Sequence, residues 1–154
     1  MAIAWIMTVY TLNFNYLSYR STTNSVNNKT TKKINYSAET CPQVTIQLPI
    51  YNEKYVTTRL INAICSMDFP KERMDIQVLD DSDDETSSII EALVEKYKKD
   101  GFNISAFHRV NRTAYKAGAL KEGLEFAKGE FIAIFDADFI PSSDFLRKAL
   151  SHFD

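Results

Sequence analysis

Four times between Val44 and Phe153 a short apolar run is followed by a segment whose apolar residues recur every three or four positions. The first run alternates Val44, Ile46 and Leu48 with Thr45 and Gln47 and then meets Pro49, which predicts a strand stopped at the proline. Past Asn52 and Glu53, the spacing of Val56, Leu60, Ala63, Ile64 and Met67 is that of an amphipathic helix. DIQVL to Leu79 precedes the helical TSSIIEALVEKYKK, ISAFH to His108 precedes KAGALKEGLEFAK, and FIAIF to Phe135 precedes SDFLRKALSHF. Strands that alternate with helices need crossover connections, and the right-handed preference of those connections gives a mainly parallel sheet. The predicted class is α/β, a Rossmann-like sheet with flanking helices, in which ligands bind beyond the carboxyl ends of the strands.

The loops after Leu48, Leu79, His108 and Phe135 should therefore share one rim. They read PIYNE, DDSDDE, RVNRTAYK and DADF. The second and fourth supply carboxylates; the third supplies Arg109, Arg112 and Lys116, so the rim offers a cation site beside an anion site, the pairing a metal-bound phosphate needs. Like charges about 4 Å apart repel by about 4 kcal/mol at an effective dielectric near 20. A divalent cation removes that cost, and hard oxygen ligands favour Mg²⁺ or Mn²⁺.

Some of these residues also have structural uses. Asp83 or Asp84 is placed to cap the helix beginning near Thr86, which leaves Asp80 and Asp81 unexplained. Lys116 in a first helical turn opposes the helix dipole, which favours a ligand-facing role. Tyr51 fits a core position as well as a rim position. His108 and His152 have no partner at metal-ligand spacing and read as structural. Three other sites fail on spacing. A haloacid-dehalogenase-type phosphatase, which also opens on a strand and DxD, needs later lysine and acidic loops, yet sixteen residues follow Asp138. A calcium loop in DDSDDET lacks the alternating ligands, the glycine and the closing glutamate. A dinucleotide fingerprint needs glycines where this chain has PIYNE.

With 18 basic and 20 acidic residues the net charge is −2, so no basic surface draws the chain to nucleic acid. Cys41 and Cys65 are far apart and have neither CxxC nor His spacing, which fits reduced thiols in a cytosolic compartment.

Taken together, VTIQLPIYNE, IQVLDDSDDET, NRTAYKAGALKEGL and FIAIFDADF resemble glycosyltransferase family 2, in particular its processive, membrane-bound branch of cellulose- and glucomannan-synthase-like enzymes. The resemblance runs from about Val44 to the end, with four motifs in order and spacing. It implies the nucleotide-binding half of a GT-A fold. Tyr51 and Glu53 would lie beside the base, Asp80 and Asp81 near base and ribose, and Lys116 near the diphosphate. Asp136 and Asp138 match the family's DxD motif, with both near the nucleotide metal and the second usually on it. Ala117 and Gly118 would let a helix N-terminus approach the donor closely. The implied reaction is metal-dependent, inverting transfer from a UDP- or GDP-linked sugar to a glycan or lipid acceptor. The family's catalytic base falls in a later acidic motif, expected beyond Asp154, so residues 44–154 would be the donor-binding portion. The alternative is a short chain that binds nucleotide or a partner without catalysis.

Residues 1–19 carry no charge and end at Arg20. At about 1.5 Å per helical residue they approach the roughly 30 Å of a hydrocarbon core, which makes them a candidate membrane anchor. Arg20, Lys29, Lys32 and Lys33 would then hold the catalytic domain on the cytoplasmic side. Residues 20–43, polar and without period, read as a linker.

Overall fold

A computed structural model describes residues 41–153. The candidate anchor and most of the linker lie outside the described residues. Among the described residues no helix is long and apolar enough to cross a membrane.

Strands β1 (Val44–Ile50), β2 (Met74–Asp80), β3 (Asn103–His108) and β4 (Phe131–Ile134) form one parallel sheet in the order β3-β2-β1-β4. Helices α1 (Lys54–Cys65), α2 (Thr86–Lys99), α3 (Tyr115–Leu124) and α4 (Phe145–Leu150) follow the four strands in turn, and a 3₁₀ turn at Lys71–Arg73 leads into β2. β2 and β3 extend the sheet on one side of β1 and β4 adds on the other, so the strand order reverses at β1.

The proline does not stop β1. The Gln47 carbonyl accepts the Phe135 N–H at 3.1 Å, which shows that odd-numbered residues of β1 point their backbone groups toward β4. Pro49 points the same way, and β1 pairs with β4 only from Val44 to Gln47. Its missing N–H therefore leaves no ladder bond unmade, and β1 stays paired with β2 through Ile50.

The period-two alternation sorts the sheet into two chemically different faces. One carries Val44, Ile46 and Leu48 beside Met74, Ile76 and Val78, with Ile104 and Phe135, and packs on Leu60, Ile61 and Ile64 of α1, Ile90 and Val94 of α2, and Leu146 and Leu150 of α4. This is the hydrophobic core. The other face carries rows of polar residues in register. Thr45 Oγ1 donates to Asp75 (3.0 Å), Asn103 donates to the same carboxylate (2.8 Å), and Gln47 Nε2 donates to Gln77 Oε1 (2.9 Å). Buried polar groups persist when they are hydrogen-bonded. α3 covers this second face, and it can lie close because Gly123 sits on the glutamines: a Cβ there would come within 2.5 Å of Gln47 Nε2.

Candidate functional site

A cleft of about 380 Å³ opens over the carboxyl ends of β1, β2 and β4, against the start of α3. Tyr51, Glu53, Asp81, Arg112, Tyr115, Lys116, Asp136 and Asp138 line it. Three of them follow from strand parity. Tyr51 continues the series Thr45, Gln47, Pro49; Asp81 continues Asp75, Gln77, Leu79; and Asp136 continues Ile132 and Ile134, register partners of Thr45 and Gln47. All three series lie on the sheet face that α3 covers over β1 and β2. At the end of β4, Phe135 and Ala137 are buried while Asp136 and Asp138 are exposed; the Phe139 N–H donates to the Asp136 carbonyl at 3.0 Å, so the strand gives way there to a turn that carries Asp138, and both carboxylates line the cleft.

The same parity takes Asp80 elsewhere. With Ile76 and Val78 it belongs to the core face, where it is 2% exposed, accepts the Ser82 N–H at 2.9 Å and pairs with His108 Nδ1 at 2.9 Å. Asp80, expected near base and ribose, does not line the cleft. Burial raises its carboxyl pKa, but hydrogen bonds from Ser87, Ser82 and His108 outweigh that and hold it below the ordinary aspartate range. His108 is thus structural, and its partner is this carboxylate.

Asp81 is buried rather than on an open rim. Arg109 grips it with two bonds, Nε to Oδ1 and Nη2 to Oδ2, each 2.7 Å. Arg109 also donates to Glu122 (2.9 Å) and to the Tyr115 carbonyl (3.0 Å). Its pKa is raised, first by the Asp81 hydrogen bonds. This arginine braces the base of α3 and does not line the cleft with Arg112 and Lys116, as the loop composition had implied. Arg112 does face the cleft, its Cζ 3.3 Å from the Tyr51 ring centroid. Lys116 pairs with Asp136 Oδ1 across the cleft.

The loops after β1 and β2 are clamped together. Asn52 Nδ2 donates to Asp83 (2.7 Å), the Asp83 N–H returns a bond to Asn52 Oδ1 (3.0 Å), and the Asn52 N–H donates to Ser82 Oγ (3.0 Å). Asn52 has φ 53°, a left-handed conformation that asparagine tolerates better than most residues. Asp84, of the two aspartates offered as caps, accepts the N–H of Thr86, the first residue of α2, at 2.8 Å.

The segment leading into α3 is wound tightly. Ala114 and Tyr115 both have positive φ, 59° and 48°, at a cost of about 1–2 kcal/mol each. Gly118 makes the turn possible: a Cβ there would lie 2.0 Å from the Thr113 carbonyl oxygen and 2.8 Å from Arg109 Nη1. The close approach that needs this glycine is therefore to the protein's own loop, beneath the cleft, and not to a ligand. Ala117 is exposed; Ala119 lines the cleft. Tyr115 was missed in the sequence because nothing in NRTAY marks two successive left-handed residues.

Among the described residues no three His, Cys, Asp or Glu side chains gather as a metal cage. Two exposed carboxylates two residues apart nevertheless suit Mg²⁺ or Mn²⁺, which commonly takes one or two protein carboxylates and completes its shell with phosphate oxygens and water. Asp136 and Asp138 fit that donor set.

The fold and the cleft define a Rossmann-like α/β domain with carboxylates and cations converging at the carboxyl edge of its sheet. The chain belongs to glycosyltransferase family 2, whose family model matches residues 45–154. It is 49% identical over 118 residues to glucomannan 4-beta-mannosyltransferase 1 of Cyamopsis tetragonoloba, covering 72% of this chain and 22% of the relative. It is 48% identical over 113 residues to the probable glucomannan 4-beta-mannosyltransferase 3 of Arabidopsis thaliana, covering 71% and 20%. The chain thus spans about a fifth of the length of these curated relatives. Among solved structures, the mannosyltransferase PcManGT of Pyrobaculum calidifontis, in complex with GDP-Man and Mn²⁺, superposes with a TM-score of 0.73 at 27% identity, over 97% of this chain and 43% of that one. S. aureus TarS superposes with a TM-score of 0.63, also at 27% identity, over 73% of this chain and 19% of that one. The α/β architecture expected from the alternation is that of these glycosyltransferase structures.

Proposed function

We propose that residues 44–154 form the donor-binding part of an inverting, metal-dependent hexosyltransferase that takes a nucleotide diphosphate sugar. The observation that carries this is the meeting of Tyr51, Asp81, Lys116, Asp136 and Asp138 in one cleft. The Tyr51 ring and Asp81 offer a planar surface and an acceptor for a base, with Glu53 alongside. Lys116 and the two aspartates at the other end suit a diphosphate carrying Mn²⁺ or Mg²⁺. Solved neighbours bind GDP-Man with Mn²⁺ and UDP-GlcNAc, and the relatives' names, mannosyltransferases, favour GDP-mannose as the donor of this chain.

When bound, the cation would neutralise charge on the departing diphosphate. Lys116 is paired with Asp136 in this structure; a diphosphate would draw its ammonium away and free Asp136 for the cation. In the reaction an acceptor hydroxyl attacks the anomeric carbon from the face opposite the nucleotide. The glycosidic bond forms as the bond to the diphosphate breaks, and the hydroxyl proton passes to a carboxylate that this reading places beyond Asp154. The acceptor is a glycan or a lipid, and residues 1–19 would hold the protein at a membrane with the catalytic domain on the cytoplasmic side. Flotation of the full chain with liposomes tests that last element, and protein that stays at the bottom of the gradient counts against it.

Diphosphate recognition is tested by comparing GDP with GMP in the presence of Mn²⁺. GDP should bind at least about tenfold more tightly, and Lys116→Ala should remove most of the difference. Equal binding of the two nucleotides would contradict the assignment.

A further inference from the structure

Arg112 lies against two aromatic rings of the cleft, its Cζ 3.3 Å from the Tyr51 centroid and 5.4 Å from the Tyr115 centroid. Stacked carbon atoms rest at about 3.5–4.0 Å. The guanidinium therefore already fills the layer over Tyr51 that a stacked base would need on that face. The gap to Tyr115 is also too narrow, because an inserted base requires two such layers, roughly 7 Å. Arg112 Nε is buried without a hydrogen-bond partner and stands 3.9 Å from Asp81 Oδ2, whose two oxygens Arg109 already holds. Stacking, with a longer ion pair to Asp81 and no hydrogen bond at Nε, keeps the side chain on the ring.

We propose that Arg112 is an internal plug of the base subsite: its guanidinium takes the place of the nucleobase on Tyr51 and must swing off before the donor can stack. The proposal rests on the nucleotide reading of the cleft. The movement is one of the Arg112 side chain alone: its backbone is held by the bond from the Tyr115 N–H to the Arg112 carbonyl (2.9 Å), and the turn behind it by the Gly118 N–H on the Ala114 carbonyl (3.0 Å) and Arg109 on the Tyr115 carbonyl (3.0 Å), so the guanidinium swings about its own side-chain torsions. When the plug is on the ring, the protein is in a form that cannot bind donor, so the apparent affinity is lowered by the fraction of molecules that are open.

The test is stopped-flow tyrosine fluorescence and calorimetry on the full chain with GDP and Mn²⁺, with UDP run in parallel. In the wild type the observed association rate should level off at high nucleotide, where plug opening limits it. In Arg112→Ala it should rise linearly, and Kd should fall by about 2- to 30-fold, the range set by loss of one cation–π contact. Arg112→Lys, which keeps the charge but loses the planar group, should also associate faster than wild type. Thermal melts establish that both variants are folded. If all three proteins bind nucleotide but Arg112→Ala binds no tighter, or binds more weakly while Arg112→Lys restores affinity, Arg112 is a ligand contact and the plug is wrong. If none binds either nucleotide, the nucleotide reading falls and takes the plug with it.

Discussion

Arg109 and Asp81 meet in a two-bond, fork-to-fork pair, both bonds 2.7 Å, with both side chains more than nine-tenths buried. A buried pair of this kind fixes geometry, and removing one partner strands the other charge. Arg109→Ala should cost about 3–5 kcal/mol, and Arg109→Lys somewhat less, since one point charge replaces a planar fork. Asp81→Ala should destabilise as well, because it leaves the Arg109 charge in a buried setting with only Glu122 beside it. Urea denaturation checks all three, and a change under about 0.5 kcal/mol would show that the pair does not brace the loop.

Gly118→Ala should be far more harmful than a surface glycine replacement. The new Cβ would sit 2.0 Å from the Thr113 carbonyl oxygen, a backbone atom that cannot step aside without unwinding the turn before α3. A loss of about 1–3 kcal/mol is expected from such overpacking, together with weaker nucleotide binding, because Arg112, Tyr115 and Lys116 all move with that turn. Gly101 is the control: it has φ 86° but open space around it, so Gly101→Ala should cost about 1 kcal/mol and leave binding alone. Equal effects on binding would refute the distinction.

Asp80 makes stability depend on acid. Its carboxyl pKa is lower in the folded chain than in the unfolded one. Its contribution is therefore fully present above the unfolded value, about 3.9, and is lost as pH falls through the folded value. Asp80→Asn should destabilise by about 1–3 kcal/mol at pH 7, and the gap from wild type should narrow below about pH 4. Urea melts from pH 7 down to pH 2.5 measure this. A gap that stays constant across the range would mean that Asp80 ionisation does not contribute.

Much of the fold could be read from alternation. VTIQL, DIQVL, ISAFH and FIAIF gave the four strands, and TSSIIEALVEKYKK gave α2 to the residue. What was lost traces to physical causes that lie outside local pattern. Pro49 reads as a stop only until the short β4 is known to leave that stretch of β1 without a neighbour on the side its backbone faces. Arg109 reads as a free cation because its partners, Asp81 and Glu122, are 28 and 13 residues away in sequence. Asp80 and Asp81 are different in kind: strand parity, continued from Ile76 and Val78 on one hand and Gln77 and Leu79 on the other, already separates a core-facing carboxylate from a cleft-facing one. That signal was available in DIQVLDD. The turn at Ala114–Tyr115 was not, since neither residue advertises a positive φ.

The most direct test of the account is a calorimetric titration of the chain with GDP-mannose, with Mn²⁺ and then with EDTA, repeated for Asp138→Asn. The cleft reading rests on two exposed aspartates two residues apart whose remaining cation ligands come from the donor's phosphates. It predicts that EDTA weakens binding at least about tenfold, and that Asp138→Asn in Mn²⁺ behaves much as the wild type does in EDTA. Equal affinity with and without the metal, or an Asp138→Asn variant that keeps the full effect of Mn²⁺, would contradict it.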